Sequence, residues 1–142
     1  MTATDIACAA IDRDSAERFQ ALRRELGVSS FGINLIRLGP GERGRIHAHE
    51  RQEEVYLVLD GELTLLVEGD EHVLAADELA RVGPAARRQL VNAGPDRLVL
   101  LALGGSGEHA GRDGLAWTSW DEDDSPGRPP QEVPLPENLP GT

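Results

Sequence analysis

Residues 41–61 read GERGRIHAHERQEEVYLVLDG, and this stretch decides both the fold and the chemistry of the chain. His47 and His49 stand two residues apart, so on an extended strand both imidazoles leave the same face, with backbones roughly 7 Å apart. Glu54 opens the next strand-like run after a short polar turn. Two neutral nitrogens and one carboxylate oxygen suit Fe, Mn, Ni, Zn or Cu better than Ca or Mg. The spacing therefore predicts a divalent metal site formed by these three residues.

The full spacing of this stretch is G-x5-H-x-H-x4-E-x6-G, from Gly41 to Gly61. It resembles the first signature motif of the cupin family. The resemblance implies an all-β fold, a cupin-type jelly-roll β-barrel, in which the motif side chains point inward. It also implies a role for His47, His49 and Glu54, because in many cupins these three residues hold a divalent metal.

A second cupin motif, G-x5-P-x-G-x2-H-x3-N, is degenerate in this chain. When the motif is aligned on Asn92, its Gly, Pro, Gly and His positions are occupied by Asp77, Gly83, Ala85 and Arg88. The resemblance implies that the missing His completes the metal shell in cupins. Arg88 cannot replace it, because a guanidinium is always protonated and has no lone pair to offer. His109 lies in a Gly-rich loop and could approach the site, but we favour a loop histidine without function.

Arg88 leaves two interpretations of the pocket open. In the first, His47, His49 and Glu54 form a facial triad with open coordination positions, and Arg88 grips an anionic ligand or Glu54. In the second, Arg88 pairs with Glu54 in a metal-free pocket that binds a small polar or anionic ligand. A guanidinium about 5 Å from a dication is repelled by roughly 6 to 7 kcal/mol at an effective dielectric near 20. That repulsion offsets the attraction of one carboxylate at a similar distance.

The alternation of side chains along the strand after Glu54 assigns them to two faces. If Glu54 points into the barrel, Tyr56 does too, and it becomes a candidate ligand-binding residue. A core tyrosine with a satisfied hydroxyl explains the same pattern equally well. The intervening Val55, Leu57 and Leu59 need a cover, which the other sheet or a second subunit can supply. We favour a homodimer.

The 142 residues are enough for one domain and too few for two. Residues 1–28 form an N-terminal segment with a short helix. Residues 29–120 form the barrel, since β-rich runs alternate with turn signals at intervals of about 8 to 12 residues. Residues 121–142 form an acidic, Pro-rich tail, which we predict to be disordered or extended.

The helix of the N-terminal segment is predicted over residues 14–26, DSAERFQALRREL. Asp14 can cap its start, and apolar residues at helical spacing give it one apolar face. Gly27 can end it in a left-handed conformation. We therefore expect a short amphipathic helix that packs on the barrel or on a partner subunit.

Composition excludes several classes of partner. The chain has 25 acidic and 14 basic residues and a net charge of −11, which disfavours nucleic acid and anionic membranes. No run approaches the ~20 apolar residues of a membrane span, and the first residues lack the features of a secretion signal. We therefore expect a cytoplasmic protein. The single cysteine, Cys8, permits no intramolecular disulfide.

These features predict a cupin-domain protein that binds a divalent metal and a small organic ligand, neutral or anionic. If it is an enzyme, the facial triad suits an oxygenase, or a lyase or isomerase that polarises a carbonyl. No residue stands out as a dedicated general base, so the sequence leaves enzymatic activity open. The alternative is a non-catalytic, metal-free ligand-binding or sensing protein.

Overall fold

The computed structural model describes residues 5–105, 113–122 and 125–141. These residues contain two five-stranded sheets, one short α-helix and one short 3-10 helix. The strands are β1 (Phe19–Gln20), β2 (Gly32–Leu38), β3 (Ile46–His49), β4 (Glu53–Asp60), β5 (Glu62–Val67), β6 (Asp70–Ala75), β7 (Leu79–Val82), β8 (Arg88–Val91), β9 (Leu98–Gly105) and β10 (Gly114–Trp117). Helix α1 is Leu22–Leu26, and the 3-10 helix is Pro130–Glu132.

The two sheets face each other and enclose the core. Their strand orders are β1-β2-β9-β4-β7 and β10-β3-β8-β5-β6, and every strand pair is antiparallel. Side chains alternate between the faces of each strand, so one set from each sheet fills the interior. Leu38, Val58, Leu63 and Leu100 belong to this core and are at most 1% exposed. The predicted all-β jelly-roll fold is confirmed.

The last glycine of the first motif has a steric role in this fold. Gly61 forms the turn between β4 and β5 with a φ of 79°, a conformation that only glycine adopts without strain. A Cβ atom at this position would overlap the backbone carbonyl oxygen of Arg97. Glycine is therefore needed at this position for the chain to turn between the sheets.

The predicted helix is much shorter than residues 14–26. It begins only at Leu22, because Phe19–Gln20 pair with β2 as an edge strand. The N–H of Arg37 also donates to the carbonyl oxygen of Arg18, 2.6 Å away. Sheet pairing satisfies these backbone groups, whereas an isolated helix of this length is marginal. The cap at Asp14 is thus wrong.

The end of the helix agrees with the sequence prediction. Gly27 has a φ of 70° and a ψ of 30°, the left-handed conformation expected of a C-terminal cap. Leu22 is 4% exposed and packs on the outer face of the first sheet against Leu35 and Val99. Leu59 packs against the same cluster, so α1 supplies part of the cover that the sequence called for.

The described part of the tail, residues 125–141, combines irregular backbone with the 3-10 helix Pro130–Glu132. Arg128 forms an isolated bridge with Ala116 of β10, and Val133 is 2% exposed. The guanidinium Nε of Arg45 donates to the carbonyl oxygen of Val133 at 2.8 Å. The tail therefore lies along the barrel in this structure. None of the described helices has the length and apolar content to span a membrane.

Candidate metal centre

The predicted ligands come from both sheets and meet inside the barrel. His47 and His49 lie on β3 of one sheet, and Glu54 lies on β4 of the other. One ligand atom from each residue falls within 4.8 Å of the other two. The spacing that defines the motif thus places two imidazoles and one carboxylate around a single point.

Hydrogen bonds on the far side of each imidazole fix its tautomer. Nδ1 of His47 lies 3.3 Å from the carbonyl oxygen of Arg45, and Nδ1 of His49 lies 2.9 Å from Oδ1 of Asp113. Because these oxygens can only accept, both Nδ1 atoms carry the proton. Each Nε2 atom is left with a lone pair directed at Glu54, as a metal ligand requires.

His49 gives the clearest indication that the residues fit a metal. Its Nε2 atom lies 3.2 Å from Oε1 of Glu54, but it is buried and makes no well-oriented hydrogen bond with any described residue. A buried polar atom without a partner needs an explanation, and a coordinated cation supplies one. The donor set of two imidazoles and a carboxylate suits a transition-metal dication.

Asp113 is a residue of the site that sequence reasoning missed. Its side chain is 4% exposed and accepts hydrogen bonds from the N–H groups of Arg51 and Gln52, the Gln52 amide and His49. Burial alone would raise the pKa of Asp113, but the N–H of Arg51 and the His49 ring outweigh it, so the pKa is lowered. Asp113 therefore stays ionised and orients His49.

We predict that Asp113→Asn weakens metal binding by roughly 10- to 100-fold, the usual cost of removing such an outer partner. The amide accepts a weaker hydrogen bond from Nδ1 of His49, which makes the ring a poorer and less ordered ligand. Calorimetric titration of the untagged protein with Mn²⁺ and Zn²⁺ measures the effect. Asp70→Asn, at an exposed position on β6, is the matched control. Equal affinity in both variants would show that His49 does not depend on Asp113.

Glu54 is surrounded by hydrogen-bond donors and positive charge. Its Oε1 atom accepts from the Tyr56 hydroxyl at 2.5 Å and lies 3.5 Å from Nη2 of Arg88. Burial alone would raise the pKa of Glu54, but the closely approaching His47 and His49 rings hold that pKa well below its usual range. Glu54 is thus a carboxylate ready to bind a cation or to pair with Arg88.

Arg88 is fully buried and points toward Glu54 in the interior of the barrel. Its guanidinium donates to the carbonyl oxygens of Gly83, Pro84 and Ala86, at distances of 3.3, 3.2 and 2.8 Å. The Arg88 side chain does not line the open space beside the triad in which a ligand would bind. The predicted contact between Arg88 and a ligand therefore stays a prediction, and it requires this side chain to move.

Tyr56 is a core residue with a bonded hydroxyl, and its role in ligand binding stays a prediction. It is 1% exposed within the core, and it also lines one of the cavities. Burial and the charge of Glu54 raise the pKa of Tyr56 well above its ordinary value. Its hydroxyl therefore stays protonated and acts as a hydrogen-bond donor to Glu54, not as a base.

Two cavities meet at the triad. The first, of about 380 Å³, is called the polar cavity because side chains such as Arg24, Gln52 and Asp113 line it. The second, of about 330 Å³, is called the apolar cavity because side chains such as Phe19, Ile36 and Leu90 line it. Both are lined by Asn34, His49, Glu54, Ala102 and Pro130. His109 lies outside the described residues.

The fold is similar to those of several solved structures. A cupin protein from Bacteroides fragilis shares 20% identity, with a TM-score of 0.67 over 77% of this chain and 92% of that one. A sugar phosphate isomerase of the cupin superfamily from Silicibacter pomeroyi shares 25% identity, with a TM-score of 0.62 over 80% of this chain and 76% of that one.

A further structure, from Acidithiobacillus ferrooxidans, is of a protein whose proposed activity is that of a sugar phosphate isomerase. It shares 32% identity, with a TM-score of 0.57 over 61% of this chain, and the match spans only 56% of that protein. No curated protein matches the sequence. The model of the cupin domain family matches residues 34–104, which is half of the chain. Together with the jelly-roll topology, this match shows that the chain belongs to the cupin family.

Proposed function

We propose that this protein is a metal-dependent isomerase that acts on a small anionic sugar derivative. The observation that carries the proposal is the convergence of His47, His49 and Glu54 within 4.8 Å of one another, beside a polar cavity. The reaction class is the one named for the Silicibacter pomeroyi structure and proposed for the Acidithiobacillus ferrooxidans one. A small polyhydroxylated ligand also suits the size and polarity of the cavity.

Different residues of the site would bind the metal, orient the metal ligands and bind the sugar. His47, His49 and Glu54 would hold a dication, which would act as a Lewis acid toward the carbonyl and hydroxyl oxygens of a bound sugar. Tyr56 and Arg88 orient Glu54 from the interior, and Asp113 orients His49. Asn34 lines both cavities, and its amide can donate to and accept from sugar hydroxyls.

The test is an activity assay on untagged protein loaded separately with Mn²⁺, Fe²⁺, Ni²⁺ or Zn²⁺. Aldose and ketose monophosphates are incubated with each form, and their interconversion is followed by NMR. We expect interconversion that a chelator abolishes and that restored metal recovers. A metal-loaded protein that binds these compounds but converts none of them would contradict the proposal. The double variant His47→Ala/His49→Ala reports any contaminating isomerase.

A second candidate function is a metal-free ligand-binding protein. The buried ion pair between Arg88 and Glu54 favours it, because Arg88 already supplies a positive charge 3.5 Å from Oε1 of Glu54. This candidate predicts no stoichiometric metal in purified protein and ligand affinity that is the same with and without added dications. Metal analysis of untagged protein therefore separates the two functions.

We further propose that the protein acts as a homodimer in the cytoplasm. On the outer face of the first sheet, Leu57 of β4 lies opposite Leu79 of β7 and Leu101 of β9. Leu79 is 62% exposed, so α1 leaves part of this apolar row uncovered. A second copy would bury it through a two-fold contact. Light scattering that gives the mass of one chain would contradict the dimer.

A further inference from the structure

We propose that Arg23 and Arg24 of α1 bind the phosphate group of the ligand at the polar cavity. Both residues line this cavity together with His49 and Glu54. The inference rests on the proposed function for the sugar part of the ligand, and it adds the residues that select a phosphorylated compound. The sequence analysis expected Arg88 to bind an anionic ligand, whereas this inference assigns the phosphate group to Arg23 and Arg24.

The two guanidiniums are exposed and available. Neither makes an ion pair or a side-chain hydrogen bond with any residue in the described parts of the chain. Two other arginines line the apolar cavity, but both are engaged. Arg18 donates to the carbonyl oxygen of Arg43 at 2.7 Å, and Arg45 donates to that of Val133 at 2.8 Å.

The carboxylates of the polar cavity do not neutralise this pair. Glu54 already interacts with Tyr56, Arg88 and the two histidines. Asp113 already accepts four hydrogen bonds from the protein. Among the described residues that line the polar cavity, the charged side chains without a direct partner are therefore Arg23 and Arg24. In a chain with a net charge of −11, two cationic side chains without a partner at a cavity mark a place where an anion can bind.

The chemistry of the pair favours a phosphate monoester. Each guanidinium presents parallel N–H groups that match two oxygens of a tetrahedral anion, and the charges of two guanidiniums together match its double negative charge. His49 and Glu54 line the same cavity as the two arginines, so a sugar phosphate in this cavity can contact both groups of residues. Two-point binding of this kind would orient the sugar chain toward Asn34 and the triad.

The test compares ligand binding to the double variant Arg23→Gln/Arg24→Gln and to the unaltered protein. The probes are glucose 6-phosphate, unphosphorylated glucose, and inorganic phosphate on metal-free protein, where no metal can bind the phosphate. We expect the affinity for both phosphate probes to fall by roughly 10- to 100-fold, because hydrogen bonds to charged groups are lost. The affinity for glucose should stay unchanged, and Arg23→Lys/Arg24→Lys should recover part of the loss.

The control variant Arg13→Gln/Arg81→Gln makes the same change in net charge at exposed surface ion pairs with Asp60 and Glu53. Equal losses in the two double variants would overturn the inference, and so would a failure of the unaltered protein to bind either phosphate probe. Binding is measured without turnover. Phosphate binding that depends on Arg23 and Arg24 in a protein without isomerase activity would therefore overturn the proposed function and leave this inference standing.

Discussion

His49→Ala is expected to remove stoichiometric metal from the purified protein and to weaken its metal affinity by more than about 100-fold. Loss of an outer partner alone costs 10- to 100-fold, and loss of a ligand costs more. His49 is the ligand whose Nε2 atom is buried without a well-oriented hydrogen bond to any described residue. Elemental analysis and titration of untagged protein with Mn²⁺ and Zn²⁺ measure the change.

The matched control for this experiment is His72→Ala. His72 is exposed on β6, which two other strands separate from β3 in the same sheet. Its removal should leave metal content and affinity unchanged. One equivalent of tightly bound metal in His49→Ala would contradict the predicted centre. Equal losses in both variants would point to non-specific binding by histidines.

Acid should reproduce the loss of metal in the unaltered protein. Burial lowers the pKa of His49, but the carboxylates of Glu54 and Asp113 outweigh burial and Arg88, so the pKa is raised from 6.5. A raised pKa means that protons compete with the metal from a higher pH. Metal affinity should therefore begin to fall above pH 6.5, and it should drop about tenfold per pH unit once His49 is protonated. Affinity that stays constant between about pH 8 and 6 would contradict this prediction.

The triad could be predicted from the sequence because short-range alternation governs it. His47 and His49 share a face by spacing alone, and the same rule places Tyr56 beside Glu54. The motif then brings the two strands together. No comparable local rule locates Asp113, which lies 64 residues from His49 and reaches it only because β10 pairs with β3.

The N-terminal segment shows a second limit of sequence reasoning. Residues 14–26 have helical spacing, but the free edge of β2 pairs with Phe19–Gln20 and shortens the helix. In the shorter helix that results, Arg23 and Arg24 lie at the polar cavity. Helical spacing alone could not indicate this position. Strand pairing between distant parts of the sequence is therefore the reason that the predicted helix was too long. It is also the reason that Arg23 and Arg24 were not predicted as residues of the site.

Arg88 is the residue whose replacement best separates the two functions, because Arg88→Met should change stability and metal affinity in opposite directions. The metal-free protein should lose roughly 3 to 5 kcal/mol of unfolding free energy, since removing one partner leaves Glu54 as a buried charge. Metal affinity should rise by at least about tenfold, because a positive charge no longer repels the dication. Urea denaturation with and without Mn²⁺, together with titration, measures both effects.

Two further variants separate charge from shape at this position. Arg88→Lys keeps the positive charge and should retain the affinity of the unaltered protein. Arg88→His adds a neutral ligand in the position where the second cupin motif has one, so its affinity should exceed that of Arg88→Met. If neither neutral variant binds metal more tightly than Arg88→Lys, then the charge of Arg88 does not limit occupancy. In that case the functional pocket contains the ion pair between Arg88 and Glu54 and no metal. The metal-free function is then favoured over the isomerase.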